Sequence, residues 1–144
     1  LMATLNKTPA EVMKNYEVHA CTDVTGFGLL GHLKEMSMAS HCDVEVDFEK
    51  VPFLREVKNL ATAGIIPGGT YNNLEFVKDF VDFGNHPRLH QLLLCDAQTS
   101  GGLLIALPEK DAENYLNDLK KNDITGAVVI GRFTEGMAGK TFIR

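Results

Sequence analysis

Hydrophobic and polar positions along this chain alternate between two periods, and the places where the period changes mark out short elements. Cys42 to Phe48, CDVEVDF, alternates strictly, with Val44, Val46 and Phe48 set against Asp43, Glu45 and Asp47. A period of two predicts a strand with one wet face. EVHACT, from Glu17 to Thr22, alternates in the same way, LLIALP from Leu103 is an apolar strand, and GAVVIGRF and KTFIR read as closing strands. Elsewhere the period lengthens. LLGHLKEMSMAS puts Leu29, Leu33 and Met36 on one helical face with Leu30 beside them. VPFLREVKNLATAG predicts a helix that begins after Pro52 and stops at Gly64, and LEFVKDFVDFG predicts another that stops at Gly84. PRLHQLLL is a short helix, and EKDAENYLNDLKKN is an exposed amphipathic one carrying Ala112, Tyr115, Leu116 and Leu119. The opening LMATLNKTPAEVMKNY is helix-forming, with Pro9 breaking it or starting a second turn, and IIPGGTYNN predicts a turn-rich loop. No repeat, low-complexity run or internal linker interrupts the series. The layout is one α+β domain, a sheet covered by helices.

Composition narrows the functional classes. At 144 residues the chain suits a single domain that buries roughly two thirds of its unfolded surface. The net charge of -5, with no basic cluster longer than Lys120-Lys121, argues against a nucleic-acid partner. No apolar run approaches the ~20 residues needed to cross a bilayer and no signal peptide opens the sequence, so no membrane association is expected. Cys21, Cys42 and Cys95 are odd in number, widely separated and form no CxxC pair. That fits reduced thiols in a cytoplasmic protein better than disulfides or a zinc site. The first residue is Leu1, so either Met2 is the natural start or the sequence is the later part of a longer protein.

Three loops carry unusual chemistry. In CTDVTGFGLLGHL, Asp23 is the first acid after Glu17 and the last before Glu35, and it stands at the mouth of a glycine turn that leads into a helix. Glycines let the backbone come close to a ligand, and a helix N-terminus favours anions. An aspartate there repels phosphate unless a divalent cation lies between them, and carboxylate plus phosphate oxygens is the usual Mg²⁺ arrangement. The alternative is that Asp23 and Thr25 merely satisfy turn and cap amides. In PGGTYNN, Gly68-Gly69-Thr70 offers amides and a hydroxyl for a phosphate, or a simple turn with a helix cap. In CDAQTSGG, Asp96, Gln98, Thr99 and Ser100 precede paired glycines and a strand, which a strand-entry turn also explains.

TDVTGFGLLGHL, PGGTYNN and LCDAQTSGGLLIALP, in this order, resemble the C-terminal domain of the selenophosphate synthetase (selenide, water dikinase) family, part of the aminoimidazole ribonucleotide synthetase-like superfamily. The likeness runs from the helix around Leu1 to the closing KTFIR. It implies a layered α/β/α domain with a mixed sheet covered by helices. It also implies a parent enzyme that makes selenophosphate from selenide, ATP and water, releases AMP and phosphate, requires Mg²⁺ and works as a homodimer. The family's reactive cysteine or selenocysteine and its essential lysine lie in a glycine-rich N-terminal segment with no counterpart here, so the resemblance implies a C-terminal domain without its N-terminal partner. By the same likeness, Asp23 falls on a metal-binding aspartate, and Gly68, Gly69 and Thr70 fall on a motif facing the cleft, with phosphate contact. Asp96, Gln98, Thr99 and Ser100 shape that cleft. Cys21 and Cys95 match no reactive position and read as buried structural cysteines. Of the histidines, only His32 lies near the expected site. Two alternatives stay open, an ATP-dependent enzyme of the superfamily with another substrate, and a non-enzymatic dimerisation or regulatory domain.

Overall fold

The computed structural model describes residues 3–136 and 138–144. Its helices are α1 (Lys7–Val12), α2 (Gly28–Ser40), α3 (Val57–Thr62), α4 (Gly68–Val77), α5 (Arg88–Leu94) and α6 (Glu109–Lys121). Its strands are β1 (Ala20–Asp23), β2 (Asp43–Val46), β3 (Val81–Asp82), β4 (Leu103–Ala106), β5 (Gly131–Thr134) and β6 (Thr141–Ile143). β1 and β4 form an antiparallel pair in which Asp23 stands opposite Leu103. The other four strands make a mixed sheet ordered β3-β6-β2-β5, with β2 antiparallel to β5 and parallel to β6. The α+β class and the mixed sheet covered by helices follow the expectation.

The alternation in CDVEVDF does what its period predicts. Val44 and Val46 are buried, and Phe48 is fully buried in a short 3-10 turn just beyond the strand. They meet Leu30 and Leu33 from α2, Leu74 and Val77 from α4, and the Leu92–Cys95 end of α5 in one core. A smaller core of Val12, Tyr115 and Leu119 fastens α1 to α6. The central element is α2, which touches α4, α5, β1 and β6. Its Lys34 reaches along α4, donates to the Phe76 carbonyl at 2.9 Å and lies over the Phe76 and Phe80 rings. Burial lowers the pKa of that amine, and the Asp79 and Glu35 charges oppose the shift.

Several boundaries differ from the expectations, and the strand expected from Glu17 begins only at Ala20 and runs to Asp23. The helix expected over the first sixteen residues is α1 followed by a 3-10 turn at Met13–Asn15, and residues 1 and 2 of that prediction lie outside the described residues. The helix expected from Pro52 to Gly64 is confined to α3. α4 begins inside the expected loop, at Gly68, and ends at Val77 instead of Gly84, because Val81–Asp82 leaves the helix to pair with β6. GAVVIGRF is strand only from Gly131, where β5 meets β2.

Two outcomes test this packing. Gly28 has a φ of +69° at the start of α2, and a Cβ there would lie 2.8 Å from the Cys95 and Asp96 carbonyl oxygens. Gly28→Ala combines left-handed strain with a backbone clash, so thermal denaturation should show a loss of about 2 kcal/mol or more. Glu45 on β2 accepts from Arg132 on β5 and from Arg144 just past β6, and Arg132 first, then Arg144, holds its carboxyl below the ordinary range. A depressed folded pKa gives stability that is present above the unfolded value of about 4.3 and is lost as pH falls through the folded one. Melting temperature measured against pH should therefore fall less steeply on the acid side in Glu45→Gln than in the unmodified protein.

Candidate functional site

The three glycine-rich segments, far apart in sequence, converge at the turn that leads into α2. β1 extends past Asp23, since Val24 N–H donates to Gly102 O at 2.9 Å and Gly101 N–H donates to Val24 O at 2.8 Å. Thr25 O then accepts from Gly28 N–H at 2.9 Å, closing the turn, and from Gln98 N–H at 3.1 Å, tying the turn to the third segment. The second segment joins through Asn73, buried on α4. Its amide donates to Gly26 O at 2.8 Å and to Cys95 O at 3.0 Å. Carbonyls only accept, so the NH₂ end of the side chain is the one that faces them.

The polar residues of these loops take distinct roles. Thr70 is 1% exposed and lies behind the surface, its hydroxyl donating to Asp96 Oδ1 at 3.0 Å. Gln98 donates to Asp96 Oδ2 at 2.8 Å, so both oxygens of Asp96 already have partners within the fold. Thr99 is exposed and Ser100 is half-buried beside them. Gly68 and Gly69 are exposed at the first turn of α4, where helix geometry leaves their amides without intrahelical acceptors.

Asp23 differs. It is exposed at the end of β1, and among the described residues its carboxylate takes part in no hydrogen bond or ion pair. The N-terminus of α2 has no side-chain cap, so neither Asp23 nor Thr25 performs the capping that the alternative reading assigned to them. Among the described residues no group of three or more His, Cys, Asp or Glu side chains is arranged to hold a metal ion. Asp23 by itself would give any cation a single carboxylate ligand.

The thiols split. Cys95 is fully buried, and burial pushes its pKa up to about 12. Cys21 is exposed on β1, which corrects the expectation that it is buried. It occupies the same face of the strand as Asp23, two residues on, so the period of two carries it outward. Partial desolvation, and then the Asp23 charge, raise its pKa, so neither thiol is poised as a thiolate. His32 is the buried histidine of the site, with Nε2 3.1 Å from Thr25 Oγ1.

Asn73 is the residue whose part the sequence did not reveal, whereas His32 was expected near the site but without a role. Thr70, Asn73, Leu74 and Val77 are the buried positions of α4, spaced at i, i+3, i+4 and i+7. That helical signature was present in the sequence, but polar residues at its first two positions made the segment read as a loop.

The chain is similar to several known proteins along nearly its whole length. A selenide, water dikinase of Pelobacter propionicus is 48% identical over 135 residues, covering 93% of this chain and 39% of that relative. Another, from Caldanaerobacter subterraneus subsp. tengcongensis, is 40% identical over 144 residues, covering 100% of this chain and 42% of that relative. The chain thus spans about two fifths of the length of the curated relatives it matches. Among solved structures, a HypE-HypF complex superposes with a TM-score of 0.63 at 20% identity, covering 92% of this chain and 35% of that one. The hydrogenase maturation protein HypE gives 0.60 at 20% identity, covering 99% of this chain and 39% of that one. At those identities the likeness is one of fold. The family described as "AIR synthase related protein, C-terminal domain" matches residues 1–144, the full length, and the chain belongs to that family.

Proposed function

We propose that this chain is the C-terminal domain of a selenide, water dikinase, an enzyme that makes selenophosphate from selenide, ATP and water and releases AMP and phosphate. The observation that carries the reading is the convergence of TDVTGFG, PGGTYNN and CDAQTSGG at the turn that leads into α2, with the Asp23 carboxylate left free there. The relatives that match nearly the whole chain bear that enzyme's name. In this reading the remaining three fifths of the enzyme supply the nucleotide-binding domain and the other metal-binding carboxylates. The assembly is a cytoplasmic homodimer, and its substrates are small molecules.

Phosphoryl transfer needs positioning and charge neutralisation more than covalent help from the protein. Bound Mg²⁺ supplies that neutralisation by bridging polyphosphate oxygens. Asp23 contributes one oxygen ligand from this side of the cleft. The Gly68 and Gly69 amides, at the N-terminus of α4, face phosphate, and Thr70 supports them from behind through Asp96. Packing within the chain does not explain every glycine. A Cβ at Gly26 or Gly68 would meet no atom within 4 Å, and neither residue has the positive φ that favours glycine. A bare backbone at these two positions leaves room for close approach of a ligand or of a facing domain.

Asn at position 23 keeps the size of Asp and loses its charge. In the complete enzyme, Asp23→Asn should leave the melting temperature within about 2 °C while AMP production falls roughly a hundredfold or more. A variant that is destabilised yet active would mean that the aspartate only holds the turn. The 144-residue chain by itself should hold Mg²⁺-nucleotide in the millimolar range or weaker, on the order of -4 kcal/mol, and release no AMP in the presence of selenide. Micromolar ATP affinity by calorimetry, or selenide-dependent AMP above a no-protein control, would show a complete site in this chain and overturn the division of labour.

A further inference from the structure

The glycine turn is backed by a buried imidazole whose hydrogen bonding is incomplete. His32, one turn into α2, is 8% exposed. Its Nε2 lies 3.1 Å from Thr25 Oγ1. Its Nδ1 has no aligned hydrogen-bond partner among the described residues, but Glu35 Oε2 stands 3.4 Å from it, one helical turn further along. The Phe27 ring packs edge-on against the imidazole. Carboxylate, imidazole and hydroxyl thus stand in line from the solvent side of α2 to the glycine turn.

With the imidazole neutral, this order fixes which of its nitrogens carries the proton. A neutral imidazole has one N–H and one bare nitrogen. A bare Nδ1 would set a lone pair against the Glu35 carboxylate, so the proton belongs on Nδ1 and the bare nitrogen is Nε2. Nε2 can then only accept, and Thr25 Oγ–H is the donor to it. The hydroxyl has spent its proton inward, and what it offers outward is lone pairs. With the opposite tautomer, Thr25 would have a proton free to donate to a phosphate oxygen. Thr25 and Asp23 lie on one face of the β1 extension, because Val24 between them is buried while Asp23 is exposed and Thr25 half-buried.

We propose that His32, held in one tautomer by Glu35, is a positioning residue that turns the Thr25 hydroxyl into an oxygen acceptor for the cation bound at Asp23 or for that cation's water. The inference rests on the reading of Asp23 as a metal ligand. It gives the site a neutral oxygen beside its charged one, with the second oxygen oriented by residues that do not touch the cation. Partners of this kind, one layer out from a metal ligand, typically matter about tenfold or more in affinity.

Mn²⁺ binding to the complete enzyme in the presence of ADP, followed by the EPR signal of the free ion, tests it without turnover. Thr25→Val and His32→Leu should each weaken Mn²⁺ binding about tenfold, and the double variant should be no worse than either alone. Thr25→Ser and His32→Gln, whose amide oxygen can still accept the hydroxyl proton, should recover most of the affinity. Glu35→Gln should produce a smaller loss. If Asp23→Asn weakens Mn²⁺ binding while Thr25→Val does not, the Asp23 reading stands and this inference fails. If Asp23→Asn also has no effect, the metal reading itself fails and this inference falls with it. Should His32→Leu not fold, Thr25→Val and the His32→Gln rescue still decide the matter. Affinity lost in Thr25→Val but kept in a folded His32→Leu would remove His32 from the role.

Discussion

The candidate site depends on one buried amide. Asn73 holds the Gly26 carbonyl of the first segment and the Cys95 carbonyl of the third at 2.8 and 3.0 Å, and both contacts use the same nitrogen. These carbonyls belong to non-repetitive backbone, with no ladder to receive them, and for the buried Cys95 carbonyl an unmatched state costs about 1–3 kcal/mol. A hydroxyl has one proton to give and an aliphatic side chain has none, so few side chains could satisfy both from one α4 position. The bare Cα of Gly28 lets the two loops approach close enough for this bridge, since a Cβ there would strike the Cys95 and Asp96 carbonyl oxygens. The glycine permits the approach and the asparagine holds it.

Much of this was legible from the order of residues, and what was not shares one cause. Strictly periodic segments, such as CDVEVDF and the α2 and α6 stretches, became the expected elements because burial alone decides them. The misread stretches are those in which tertiary pairing overrides local pattern. PGGTYNN reads as a loop because glycine and asparagine are poor helix formers, yet Thr70 and Asn73 are buried through their hydrogen bonds and not through hydrophobicity. Val81–Asp82 reads as helix because its apolar neighbours continue that period, and β6 claims it as a strand. Within the site, the sequence pointed to Asp23 and to the three loops. It could not show that they meet, because the contacts that join them run between residues distant in sequence.

Two aspartates in similar glycine-rich settings show how context assigns roles. Asp96 accepts from Thr70 and from Gln98, so its charge is absorbed in holding the third segment against α4. Asp23 has no such partners among the described residues and stands exposed. An exposed carboxylate of this kind keeps its charge at little cost while it stays hydrated. The cysteines divide on the same physics. The two thiols best placed to be mistaken for reactive groups, Cys21 and Cys95, are both pushed away from the thiolate, one by partial burial and the nearby aspartate and the other by full burial.

These features concentrate polar backbone and one charged group around a single turn. The site is a shallow convergence of loops, with its charged group at the rim and its hydrogen bonds turned inward to fix the backbone. Loop backbone fixed in advance by hydrogen bonds lowers the cost of gathering charge beside it, because the dipoles are already in place. It also accounts for the distribution of rigidity in the fold. α2 is held at its N-terminus by Asn73, along its length by the Lys34 bond to Phe76 O, and at its core face by Leu30 and Leu33. The one helix that carries His32 and Glu35 is therefore also the one fastened most firmly to the rest of the domain. His32 and Glu35 are thus held at the spacing of one well-packed helix.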